Sequence, residues 1–411
     1  MLIKPKSRIN AVIEVPGSKS YTNRALLVSA LAKGKSIIKN PLFSDDTIYM
    51  ANALKKFGIH IEKKDNSFVV YGDKPKEPNT VIYVGNAGTA MRFLTAFAAL
   101  VNGKTKITGN PRMQKRPIKD LLLSLEQLGV KTYSNNGYPP VEIIGGNFVG
   151  GKTTLEARKS SQYLSAILMV APYANNDVTI VVKKITSKPY IAITIDVMEK
   201  FGVKVVNYGF KRFFIKKQRY VARTYTIEGD ASNASYFFAA AAITSGRVKV
   251  KNLNPDSVQG DIRFIDILKK MGCKIKKGKN YIEVIGNRLK GIEVDMNDMP
   301  DVVQTLAIVA LFAHGTTRIR GIENLRIKET DRINAIITEL RKVGAEIKFE
   351  NGLIIKPKPK YKEAIIETYD DHRMAMSFAV LGLKVPITIR EPNCVKKSFP
   401  DFWEKFKQLY K

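Results

Sequence analysis

Apolar and polar positions along the chain form a pattern that recurs about every seventy residues, six times over. Each repeat opens on a small-polar turn: Ser18-Lys19-Ser20, Asn86-Ala87-Gly88-Thr89, Ser160-Ser161-Gln162, Asp230-Ala231-Ser232-Asn233, Met299-Pro300-Asp301 and Asp370-Asp371-His372-Arg373. An apolar stretch follows each turn at once, over 25–32, 91–100, 163–174, 234–243, 302–313 and 374–383. Stretches apolar on every face predict helices buried on every face. A second, amphipathic helix is predicted in five repeats over 45–57, 116–128, 190–201, 261–271 and 329–343, each followed by a glycine suited to a left-handed cap: Gly58, Gly129, Gly202, Gly272 and Gly344. Alternating strands such as 59–61 and 203–205 come next. The sixth repeat ends on a helix over 399–410 with no hairpin behind it, and an orphan strand over 9–15 is available to supply a missing edge.

The pattern predicts an α/β chain of helix pairs interleaved with strands. A buried helix keeps free N–H groups and a partial positive charge at its first turn, so six such turns brought together would form a pocket for phosphates or carboxylates. A length of 411 residues suits two or three domains. Six repeats divide into two groups of three, giving one domain over 17–228 and a discontinuous one over 1–16 plus 229–411. The chain then crosses twice, near Pro16-Gly17 and near Glu228-Gly229, an arrangement suited to a hinge.

Composition narrows the partners. The formal net charge is +31, from 68 Lys plus Arg against 37 Asp plus Glu, which favours anionic partners of some kind. Two cysteines, Cys273 and Cys394, imply no disulfide framework and suit a reducing compartment. The first residues lack the apolar core of a signal peptide, and no apolar run reaches membrane-spanning length, so a cytoplasmic protein is expected.

Each polar segment has an ordinary reading beside a functional one. Pro16 to Arg24 places Lys19, hydroxyls and Arg24 at the start of a buried helix, as an anion seat or as a plain cap with Lys19 in water; the spacing is not that of a P-loop. Gly85 to Arg92 would let a ligand approach backbone N–H groups, or is a tight turn. Pro111 to Pro117 is a basic loop, and Ser160-Ser161-Gln162 offers neutral donors or a capping pair. In Asn324 to Arg332, Lys328 and Arg332 are four apart and are read as sharing a helix face with Glu329 beside them, either to position a carboxyl for proton transfer or as a surface ion-pair ladder. Asp301 sits at the first turn of a buried helix, where a capping carboxylate is its ordinary reading. Asp370 to Arg373 lacks a complementary ligand cluster, so no metal is expected. Lys396 to Pro400 contacts an anion or is a basic turn. The segment 210–223, basic and aromatic, suits either a strand hairpin with one solvated face or single-stranded nucleic acid.

Taken in order, PGSKSYTNRA, GNAGTAMR, RMQKRPI, SSQYLSAILM, SKPYI, GDASNASYFFAAAAI, KETDR, DDHRMAM and KKSFPD closely resemble the enolpyruvylshikimate-phosphate synthase family, from Pro16 to Asp401. The resemblance implies two similar domains, each of three βαβαββ units with buried helices, and an active site in the cleft between them. It implies transfer of the enolpyruvyl group of phosphoenolpyruvate to the 5-hydroxyl of shikimate 3-phosphate by addition and elimination, releasing phosphate in the shikimate pathway of aromatic amino-acid biosynthesis. No metal or organic cofactor, nucleic acid, membrane or partner chain is implied; a cytoplasmic monomer is expected. By matching motif positions, shikimate 3-phosphate would be met by Lys19, Ser20, Arg24, Ser160, Ser161, Gln162, Ser187, Tyr190, Asp301, Asn324 and Lys328. Phosphoenolpyruvate would be met by Lys19, Gly88, Arg116, Gln162, Arg332, Arg373 and Lys397. Asp301, Glu329 and Lys19 would be the catalytic groups, Asp301 taking the hydroxyl proton and Glu329, with Lys19, handling the proton at the methylene carbon.

On this assignment seven cations face two carboxylates, an excess of five, against roughly five to six negative charges on the two substrates. Near-neutrality then requires both substrates, and closure on binding is expected. One departure from the family is Phe93, where many relatives have proline, and it is expected to affect how the Gly88 turn is held. Two rivals remain. A UDP-sugar enolpyruvyl transferase would need a cysteine in the 111–117 loop, where there is none. An RNA-binding or RNA-end-processing protein built on similar units is the alternative that the charge suggests.

Overall fold

A computed structural model describes residues 1–411. The chain forms two compact units, Gly17–Ile227 and the discontinuous Met1–Pro16 with Glu228–Lys411. Glu228 thus belongs with the second, one residue from the expected boundary, because its carboxylate accepts from the hydroxyl of Ser257 and from Gln259 Nε2 (2.7 Å).

Gly17–Ile227 contains α1 (Lys19–Leu31), α2 (Asp45–Lys56), α3 (Gly88–Phe97), α4 (Lys119–Gln127), α5 (Gln162–Val170) and α6 (Lys188–Lys200). Helices α1, α3 and α5 are the apolar stretches, and their side chains are buried nearly without exception. The amphipathic α2, α4 and α6 cover them, and the glycines beyond these helices take positive φ, +84° at Gly58, +92° at Gly129 and +88° at Gly202. Three four-stranded sheets complete the unit. In two of them a strand enters a buried helix and the strand leaving it lies parallel to the first: Ile82–Tyr83 with Lys104–Thr108 around α3, and Gly151–Ala157 with Val178–Ile185 around α5. A β-hairpin finishes each sheet. The basic segment after 210 contributes Arg212–Ile215 to such a hairpin, with Phe213 and Ile215 buried and Arg212 exposed, the pattern of a half-solvated strand.

The second unit repeats the plan with α7 (Ala231–Ile243), α8 (Phe264–Lys270), α9 (Val303–Ala310), α10 (Arg332–Lys342), α11 (His372–Leu381) and α12 (Phe402–Lys407). Helices α7, α9 and α11 are the buried set. Three hydroxyls, one from each, meet inside: Ser235 to Thr305 at 3.3 Å and Thr305 to Ser377 at 3.4 Å, all with no exposed surface. They satisfy one another where water cannot reach.

The strands that precede α1 and α7 are exchanged. Asn10–Glu14 leads into α1 yet pairs in parallel with Arg247–Lys251, the strand after α7. Conversely Thr224–Thr226 leads into α7 and pairs with Gly34–Lys39, the strand after α1. The orphan N-terminal strand therefore completes the fourth repeat. The sixth is completed instead by Leu2–Ile3, antiparallel to Ile387–Ile389, in a sheet of three strands.

Ile13 is wholly buried in the exchanged strand. Ile13→Ala is expected to destabilise the discontinuous unit by about 2–5 kcal/mol. Amide exchange in urea checks this: protection should fall within 228–411 and hold within 17–227, and equal loss in both would contradict the exchange.

Candidate functional site

In Gly17–Ile227 the expected residues gather at the N-terminal ends of the buried helices. Gln162, first residue of α5, donates from Nε2 to Thr89 Oγ1 of α3 at 3.2 Å, so these two helix starts are neighbours. Ser160 Oγ accepts the Gln162 N–H at 3.2 Å, and Ser161 is the residue before the helix. Helix α1 is tied in by Arg24. Its guanidinium is only 2% exposed and donates to Thr194 Oγ1 of α6 (2.7 Å), Ser165 Oγ of α5 (3.3 Å) and the carbonyls of Ser20 (2.9 Å) and Tyr190 (3.0 Å). The Phe93 ring of α3 lies 5.1 Å from it. All of these acceptors are neutral. Burial accordingly pulls the Arg24 pKa down to about 10, partly offset by Tyr190 and Tyr21.

Lys19 begins α1, and its ammonium lies 3.0 Å from the buried carboxylate of Asp46. Arg116 closes the loop after 111 and donates from Nη1 to the carbonyl (3.1 Å) and side-chain oxygen (3.2 Å) of Asn86. It packs directly on Gly88: a Cβ built there would lie 2.5 Å from Nη2 of Arg116. Arg92 clasps the same turn through Gly88 O (3.3 Å) and Pro117 O (3.0 Å). Phe93 therefore supports Arg24, while the Gly88 turn is held by Arg92 and Arg116. Ser187 takes a left-handed conformation (φ 56°) just before α6, beside Thr186 and three residues before Tyr190.

In the second unit Asp301 lies in a 3-10 turn, Pro300–Val302, leading into α9. Its carboxylate is bridged by two guanidiniums, Arg373 Nη2 at 2.6 Å and Arg332 Nη1 at 3.3 Å. Arg332 is almost wholly buried and also meets Asp371 through Nε (2.7 Å) and Nη2 (3.2 Å), and Glu329 through Nη2 (2.9 Å). Burial alone would lower its pKa, but Asp371, Glu329 and Asp301 outweigh burial and raise it. Arg373 reaches the Tyr236 hydroxyl of α7 at 3.3 Å, and Lys397 is buried at the end of a 3-10 turn, Pro392–Lys397.

The segment around Lys328 differs from expectation. It is a 3-10 turn, Glu323–Ile327, then extended backbone at Lys328, and α10 starts only at Arg332 because the Asp331 side chain accepts the Asn334 N–H. Lys328 and Arg332 thus share no helix face, and Asn324 lies in the turn. Asp371 and Asp46 went unassigned in the sequence, though each neutralises an expected site cation. They lower the expected excess of positive charge by two. Asp371 also caps α11 by accepting the Arg373 N–H at 2.9 Å, which leaves its carboxylate fully engaged.

Asp261 likewise has no motif in the sequence that marks it. It is buried, accepts from the Ser232 hydroxyl, and is raised to about 7 by burial first and then by Asp301, against the pull of Ser232 and Arg373. Between 3.8 and about 7 the folded chain binds this proton and the unfolded chain releases it, so the stabilisation is full below that window and is lost as pH rises through it. Asp261→Asn should flatten the fall in thermal stability over pH 4–7. An unchanged slope in melts across that range would refute a protonated Asp261.

The model of the family described as EPSP synthase (3-phosphoshikimate 1-carboxyvinyltransferase) matches residues 3–406. A relative from Trichormus variabilis named 3-phosphoshikimate 1-carboxyvinyltransferase is 48% identical over 410 residues, covering 97% of this chain and 96% of that protein. One of the same name from Vibrio campbellii is 45% identical over 421 residues, covering 100% and 99%. The solved structure of EPSP synthase from Acinetobacter baumannii superposes with a TM-score of 0.82 at 27% identity, covering 99% of this chain and 97% of that one. With this breadth of match in sequence and fold, the chain belongs to the EPSP synthase family, the 3-phosphoshikimate 1-carboxyvinyltransferases of the shikimate pathway to aromatic amino acids.

Proposed function

We propose that the family's reaction, transfer of the enolpyruvyl group from phosphoenolpyruvate to the 5-hydroxyl of shikimate 3-phosphate, is carried out here by the two sets of residues just described, both serving the same substrate pair. The shikimate phosphate is received by Ser160, Ser161 and Ser187, with Lys19, Ser20, Gln162 and Tyr190 around the ring. Arg24 has one N–H beyond its four hydrogen bonds and no carboxylate to balance it. An anion nearby offsets the cost of burying that charge. Asn324 and Lys328 are assigned to shikimate 3-phosphate as well, while Gly88, Arg116, Arg332, Arg373 and Lys397 are assigned to phosphoenolpyruvate.

The observation that carries the mechanism is the carboxylate of Asp301 held between Arg373 and Arg332 at a helix start. The carboxylate of phosphoenolpyruvate competes for the same guanidiniums. As it takes Arg373 Nη2, Asp301 Oδ2 is released to accept the proton of the attacking hydroxyl. The hydroxyl oxygen bonds to C2 of phosphoenolpyruvate while the methylene carbon gains a proton, handled by Glu329 with Lys19. Loss of that methyl proton with departure of phosphate then gives the enolpyruvyl ether. Charge complementarity between substrates and cations excludes water as it is completed. The protein is further proposed to work as a cytoplasmic monomer, since one chain supplies every group named.

Purified protein with both substrates should release phosphate, and Asp301→Ala should lower kcat by about 10²–10⁴-fold. Full activity in that variant would reject Asp301 as the base. Gly88→Ala pushes a methyl against Arg116; its KM for phosphoenolpyruvate should rise about tenfold or more, with KM for shikimate 3-phosphate changing little. Equal rises in both constants would place Gly88 outside the phosphoenolpyruvate seat.

A further inference from the structure

The three buried helices of Gly17–Ile227 have a second common end. At their C-termini lies a cavity of about 580 Å³, within the range of small-molecule sites. Every repeat of the unit contributes to it in the same way, with the end of its buried helix and the exit of its hairpin. Leu31 and Asp73 to Pro75 come from the first, Ala99, Leu100 and Phe148 from the second, and Tyr173, Arg219 and Tyr220 from the third. In the other unit the cavity at the corresponding ends of α7 and α9 is about half as large, about 290 Å³, and only two repeats line it.

The lining has a chemical direction. Its floor is apolar and aromatic, with the Tyr173 and Tyr220 rings 5.8 Å apart and tilted at 33°. Their hydroxyls are already committed, Tyr173 to Leu31 O at 2.6 Å and Tyr220 to Met169 O at 2.8 Å, so these rings offer faces and edges rather than polar groups. Helix C-termini ordinarily present unsatisfied carbonyls and partial negative charge. Here several are already engaged: Ala30 O accepts from Asp73 N, Leu31 O from Tyr173, Ala98 O from Val101 N, and Ala99 O from Gly146 N. The charge that remains is the rim: Lys33, Lys74 and Arg219, exposed and in no ion pair, against Asp73 alone. An apolar aromatic floor under a cationic rim is complementary to a planar aromatic body carrying one acidic group.

We propose that this cavity is a binding site for an aromatic carboxylate, separate from the substrate seats at the opposite ends of the same helices. The site rests on the cavity and its lining alone and is independent of the reading of the reaction. The probe is indole-3-propionate, titrated by calorimetry with shikimate 3-phosphate present so that the anion seats at the N-terminal ends are occupied. One equivalent should bind, and the neutral indole-3-propionamide should bind about tenfold more weakly or worse. The exposed-rim double variant Lys33→Gln with Arg219→Gln should weaken the carboxylate by about tenfold, and Asn102→Trp, at the exposed mouth, should block it. Both variants should release phosphate from the two substrates at the parent rate, showing that the fold and the reaction are intact. No binding at millimolar probe, equal binding of acid and amide, or binding indifferent to both variants would each overturn the site.

Discussion

A guanidinium taken out of water must be satisfied by whatever the fold places around it, and this requirement sets both halves of the molecule. Arg24 and Arg332 are the largest fully buried side chains in the protein. A buried cation needs hydrogen bonds in every direction it points, and the chain can supply them only by bringing distant elements to one place. Arg24 draws oxygens from α1, α5 and α6 and a ring from α3, so three repeats register against one another at one level. Arg332 does the same with carboxylates, joining the start of α10 to Asp371 at the start of α11 and Asp301 ahead of α9.

The two solutions differ in charge, and the difference bears on the proposed reaction. Around Arg332 carboxylates are in surplus, and any incoming anion must displace one of them. Around Arg24 there is no carboxylate, and an incoming anion displaces nothing. In the proposed reaction the first arrangement would serve the exchange of partners that proton transfer needs, and the second the steady retention of a phosphate.

Much of the fold could be read from the sequence because its signal is local. The six all-apolar stretches had to be buried, and caps such as Gly58 and Gly202 end their helices where expected. The candidate site is legible in the sequence mainly through its motifs. What escaped was set by partners remote in sequence. Asp46 lies 27 residues from Lys19, Asp371 lies 39 from Arg332, and nothing near either cation announces them. The start of α10 lies beyond the expected 329 because the four-residue spacing of Lys328 and Arg332 reads as helix, while the capping carboxylate of Asp331 holds the preceding residues out of it. The exchange of Asn10–Glu14 for Thr224–Thr226 was invisible for a related reason: a strand's pattern gives its buried face but not its neighbour.

That exchange bears on synthesis. Gly17–Ile227 is one uninterrupted stretch and can close once its last strand has left the ribosome. Asn10–Glu14 emerges earlier yet has no mate until Arg247–Lys251 arrives. At 5–20 residues added per second, the interval is about ten seconds or more. Throughout it the nascent chain carries an unzipped β-segment, and once Ile227 has emerged that segment stands ahead of a finished globule. Alternating exposed and buried positions, with Asn10, Val12 and Glu14 facing outward, keep half of that segment available to water while it waits.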